Sequence, residues 1–116
     1  MVLPQYLKES DVRQDVDVLC GRGGDGINRI PGNQQFRMFV NLLRDQYCNS
    51  AKKEKMRISA RVVAMIQETG GRYMIFDDDA QLWVEASDRK AMEKTSQALR
   101  EQRSGVSDKF TTPGSL

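Results

Sequence analysis

The sequence predicts an α+β fold: about three helices packed on a small antiparallel sheet made of a β-hairpin and one short N-terminal strand. Three observations predict it. Apolar residues recur at helical spacing in two long stretches, around Phe36 to Tyr47 and Ile58 to Ile66. Two short runs rich in aromatic and β-branched residues, Arg72 to Phe76 and Leu82 to Glu85, flank an acidic turn and read as a hairpin. A third helical stretch follows Ser87-Asp88, either of which can cap it. A helix pair ahead of a hairpin is winged-helix-like by analogy only, because a further helix comes after the hairpin.

In chain order, residues 1–14 mix Pro4, charges and scattered apolar residues without a period and read as a flexible arm. Val16, Val18 and Cys20 alternate with Asp15, Asp17 and Leu19, the two-residue period of a strand. A loop with glycine at positions 21, 23, 24 and 26 follows, and Pro31-Gly32-Asn33 then punctuates the chain, with Asn33 expected as a helix N-cap. The next helix places Phe36, Val40, Leu43 and Tyr47 on one face, which Phe39 and Leu42 are expected to broaden. The basic segment Ala51 to Arg57 is either a linker or the first turn of the second helix. Gly70-Gly71 ends that helix, since glycine supplies the left-handed residue a C-terminus favours. The hairpin should set Tyr73 and Ile75 on one face, Met74 and Phe76 on the other. The last helix has a thin apolar stripe of Ala91, Thr95, Ala98 and Leu99, and residues 104–116 read as a disordered tail. The single globular domain is thus expected over 15–103.

Composition narrows the function. With 29% charged residues but a net charge of only +2, a global attraction to polyanions is excluded and only a local basic patch can act. The chain has no histidine, and its two cysteines, Cys20 and Cys48, lie far apart in no metal-ligand spacing. No apolar run approaches the roughly 20 residues of a membrane span. The protein is expected to be nuclear or cytosolic, with no membrane, metal or cofactor partner. Gly21, Gly23 and Gly26 match G-x-G-x-x-G by letter, but the helix is expected only after Pro31-Gly32 and no second parallel strand pattern follows, so a nucleotide cofactor is not expected. No nucleophile-base arrangement is recognisable, so no enzymatic activity is expected. Asp77-Asp78-Asp79 lacks the spacing of a calcium loop and reads as a charged turn.

The segments DVLCGRG, PGNQQFR, GGRY and LWVEASDRKAMEKTSQALRE, in that order, resemble an uncharacterised domain found mostly in diatom proteins. That family pattern has a His before Pro-Gly-Asn where Ile30 stands here. The resemblance implies a fold and no reaction.

The cationic side chains carry the functional expectation, a non-enzymatic, regulatory nucleic-acid-binding module with duplex DNA as the expected ligand. Lys90, Lys94, Gln97 and Arg100 recur at spacings of four, three and three on the last helix, and Lys, Arg and Gln are the types that read base edges. Arg22 in the glycine loop and Arg29 just after it, with Lys52, Lys53 and Arg57 in the linker or first turn of the second long helix, would hold phosphates. Arg37 and Arg44 would extend the second of these patches. The alternative is a protein-protein interaction module, docking a partner or a second copy through the glycine loop and the hairpin surface.

Overall fold

A computed structural model describes residues 6–21 and 25–101, with side chains described at every position but 25 and 26. The fold is α+β. Its elements are β1 (Tyr6–Leu7), a short 3-10 turn at Glu9–Asp11, β2 (Val18–Cys20), α1 (Asp25–Arg29), α2 (Pro31–Cys48), α3 (Lys52–Glu68), β3 (Tyr73–Asp77), β4 (Leu82–Glu85) and α4 (Asp88–Arg100). The four strands lie in the order β1-β4-β3-β2. The hairpin β3–β4 is antiparallel, as is β1 on β4, but β2 pairs with β3 in parallel, Val18 opposite Tyr73 and Cys20 opposite Ile75. The sheet is therefore mixed, with one strand more than expected. With α4 packed against both long helices, the resemblance to a winged helix goes no further.

Strand alternation sorts the core. Val18, Cys20 and Tyr73 face the helices and meet Val63, Ile66 and Ala91. Deeper between the helices, Val40, Tyr47, Ile58, Val62 and Leu99 pack together. Fully burying a side chain such as Ile66 contributes about 1.5–3 kcal/mol. The opposite face of the sheet is also covered: Leu19, Met74 and Trp83 pack with Val12, Leu7, Ile27 and Ile30. Residues 6–14, read from the sequence as a flexible arm, are thus partly built into the sheet and its second hydrophobic layer. The tail expected at 104–116 lies outside the described residues.

Three local features position the rest. First, α2 starts at Pro31, not at Asn33; proline tolerates the first helical position because its missing N–H has no partner there. Asn33 is therefore not the cap. Its buried amide accepts from Leu19 N–H at 2.8 Å and donates to Leu19 C=O at 3.0 Å, closing the outer edge of β2 as a neighbouring strand would. Second, the backbone at Val16-Asp17 runs between two glycines. A Cβ on Gly32 would lie 2.0 Å from Asp17 O, and one on Gly71 would lie 2.2 Å from Val16 O. Third, the buried Asp17 carboxylate accepts from the backbone N–H of Arg13 and Arg72 and from the Arg72 guanidinium, the closest at 2.7 Å. Burial pushes its pKa up, but the Arg72 and backbone bonds outweigh that and hold it below the usual carboxylate range.

Leu42, expected on the core face of α2, is instead 71% exposed, since it lies two residues, or about 200° of helix, from Val40. The acidic turn closes on itself: Asp77 accepts from the N–H groups of Asp79 and Ala80.

Candidate functional site

A cleft of about 380 Å³ opens where α2 and α4 meet the outer edge of β2. Its floor is apolar and comes from Val18 and Cys20 of β2 with Phe36 and Val40 of α2. Arg37, Asn41 and Arg44 form one wall, at spacings of four and three along α2. Lys94 and Gln97 of α4 and Glu101 just past its end form the opposite wall, and Asn28 closes a third side from α1. Arg37 donates to Asn28 Oδ1 at 2.7 Å, tying α1 to α2. Arg44 bonds Asn41 within its own wall and donates to Ala98 C=O at 3.2 Å, tying α2 to α4. Three cations and four side-chain amides, Asn33 being the fourth, thus line one opening, with Glu101 the carboxylate among the residues lining it.

Of the nine residues expected to bind nucleic acid, the eight among the described residues are not brought onto one surface. Lys94 and Gln97 line the cleft, and Lys90 lies exposed one helical turn before Lys94. Arg100 is exposed, but three residues beyond Gln97 it has turned by about 60° toward Glu93. Glu93 is itself paired with Arg89 at 3.5 Å on the solvent face. Arg29 ends α1, exposed, two residues past the cleft-lining Ile27. Lys52, Lys53 and Arg57 begin α3 at the end of the helical layer away from the sheet, since Ile58 packs with Tyr47 and Leu99 while Ile66 packs with the strands. None of the three lines the cleft, and Arg57 pairs with Glu54 at 3.2 Å. Arg22 lies outside the described residues.

Arg37 and Arg44, which the sequence grouped with the α3 cations, face α4 instead. Asn28, Asn41 and Glu101 were missed. The 37-41-44 spacing was a readable signal, a polar stripe at helical period beside the apolar one.

The first backbone N–H groups of α2 do not form an open anion cradle, because Gly32 N–H already donates to Gln14 C=O at 2.9 Å. Cys20 is no activated thiol either. Burial pushes its pKa up to about 11, and the Lys94 ammonium offsets only part of that. Tyr73 and Trp83 are 3% and 5% exposed, so the hairpin offers neither ring for docking. The Tyr73 hydroxyl shares a buried hydrogen bond with Thr95 at 2.9 Å.

Among known proteins, no curated protein and no solved structure matches the chain. A family model does match, over residues 17–101, a span that holds β2, the cleft and all four helices. The chain belongs to that family, described as a domain of unknown function (DUF6824).

Proposed function

We propose that the domain is a non-enzymatic nucleic-acid-binding module with a regulatory role, DNA being its expected ligand, and that it contacts the strand through the α2–α4 cleft. One observation carries the reading: Arg37, Arg44 and Lys94 converge with Asn28, Asn41 and Gln97 around a single opening. Cations at the rim attract phosphates and release their counterions; Gln97 offers a donor and an acceptor to a base edge, and Asn28 and Asn41, whose oxygens accept from Arg37 and Arg44, offer amide donors. The α3 cations Lys52, Lys53 and Arg57 drop out of this interface because they lie away from the cleft.

Fluorescence anisotropy with labelled random-sequence DNA tests it. Micromolar or tighter binding is expected at low salt. If about three phosphates are neutralised, log K should fall against log salt with a slope of about −2 to −3. The double variant Arg37→Ala/Lys94→Ala should flatten the slope and weaken binding at least tenfold. No binding at low salt overturns the reading.

A second reading, a protein-interaction module, is favoured by Met38 and Leu42, exposed 58% and 71% and one turn apart on the outer side of α2. Self-association at tens of micromolar that is lost in Leu42→Asp, without DNA binding, would favour it instead.

A further inference from the structure

Resting on the nucleic-acid reading, we infer that the cleft receives one unpaired base of the bound strand, so that the domain prefers single-stranded or bulged DNA to intact duplex. Size is the first argument. A cleft of about 380 Å³ sits at the small end of ligand pockets, about 300–1,000 Å³, which suits one nucleotide and not a base pair. Its two long walls are helices in direct contact, bridged by the Arg44 bond to Ala98 C=O and by Leu99 packed on Val40. Helices packed in this way have axes about 8–10 Å apart, too narrow a groove to admit a duplex.

Shape is the second. A helix that reads a major groove must project into a channel about 12 Å wide. α4 is flanked on both sides, by α2 through Arg44 and by α3 through the Ser59–Ser96 hydroxyl pair at 2.7 Å. Its exposed outer ridge carries Asp88 and the Arg89–Glu93 pair, while Lys94 and Gln97 lie toward the cleft to one side of it.

Chemistry is the third. The floor is apolar and can cover the face of a ring; beside it Gln97 carries both a donor and an acceptor, and Asn41, whose oxygen accepts from Arg44, adds its amide N–H groups. Those groups match a Watson–Crick edge, which is free only when the base is unpaired. Glu101 separates a base from a phosphate in this place. A carboxylate beside a phosphate repels it; beside a base edge it accepts from an amino group. The phosphates on either side of the base then fall to Arg37, Lys94 and Lys90 at the rim.

The experiment compares four oligonucleotides of equal length by competition anisotropy with the full chain. They are a single strand, an intact duplex, a duplex with a one-nucleotide bulge, and a strand of abasic residues. The single strand and the bulged duplex should bind at least tenfold tighter than the other two. A 2-aminopurine placed at the bulge should change its fluorescence on binding. Gln97→Ala, its fold checked by circular dichroism, should erase the preference and leave the salt slope intact, whereas Lys94→Ala should weaken all four and flatten the slope. Equal affinity for the four forms, tighter binding of intact duplex, or an unchanged preference in Gln97→Ala overturns the inference while leaving phosphate-driven binding in place. Failure of every form to bind at low salt overturns both.

Discussion

Removing the Asn33 amide tests whether β2 is held in place by a side chain acting as a strand. β2 is only three residues long and pairs with β3 on one side alone. On its other side, Asn33 satisfies both Leu19 backbone groups, and Asn33 itself is 7% exposed. Asn33→Ala leaves a donor and an acceptor without partners. Each such group costs about 1–3 kcal/mol when buried, and the adjoining cleft admits some water, so a loss of about 2–4 kcal/mol is expected. That is a large share of the about 5–15 kcal/mol typical of a domain this size. Urea unfolding followed by the fluorescence of Trp83, the one tryptophan in the chain, should show the midpoint falling by about 1–2 M. Asn33→Asp sharpens the test. The carboxylate still accepts from Leu19 N–H but faces Leu19 C=O with a lone pair instead of a donor. Its folded pKa should therefore rise above the unfolded value of about 3.9. At pH 7 the Asp variant should be no more stable than Ala. As pH falls toward 4, protonation restores a donor, and Asp should gain on Ala. A loss under 0.5 kcal/mol in Asn33→Ala, or a constant gap between the two variants across that pH range, refutes the strand-mimic account.

Asp17→Ala should cost about 3–5 kcal/mol, because it strands the half-buried Arg72 guanidinium and two backbone donors; thermal melts measure this. Since the folded Asp17 pKa is lowered, its stabilisation should hold above the unfolded value near 4 and vanish as pH falls through the folded value, and Asp17→Asn should flatten that acid limb in urea titrations. Gly32→Ala should destabilise more than Gly21→Ala: the first forces a Cβ into the Asp17 backbone, while the second meets open space and only the strain of φ +101°, about 1–2 kcal/mol. An aromatic disulfide reagent at pH 8 should modify the exposed Cys48 quickly and Cys20 only on unfolding.

The long helices and the hairpin were legible because each carries its signal locally, in a period of 3.6 or 2 repeated several times. β1 was not, since two residues cannot display a period. The direction of β2 was hidden as well. A three-residue strand has the same alternation whether its partner runs parallel or antiparallel, and here the partner lies more than fifty residues downstream. Asn33 misled for a chemical reason. Asparagine before a helix usually caps it, but Pro31 two residues earlier starts the helix and frees the amide for the sheet edge. The cleft was half legible. The stripes 37-41-44 and 90-94-97 can each be read from spacing. That they face each other depends on how α2 and α4 pack, a contact between residues more than fifty apart.

The Pro-Gly-Asn, Gly-Gly-Arg and Asp-Val-Leu-Cys motifs are separated in the chain but form one piece of structure. Gly32 and Gly71 let the ends of α2 and α3 close on the backbone at Val16-Asp17; Arg72 fastens Asp17; Asn33 fastens Leu19. That clamp fixes the position of β2, and β2 supplies Val18 and Cys20 to the floor of the cleft. Fold and site are therefore inseparable at the floor. A substitution at Gly32, Asn33 or Asp17 would abolish binding merely by moving β2, and such a loss would say nothing about ligand contact. The rim is different. Lys94 and Gln97 are exposed, sit on a helix anchored by other residues, and can change without disturbing the clamp. A loss of DNA binding at those two with unchanged unfolding midpoints is evidence of contact; the same loss at the clamp is not.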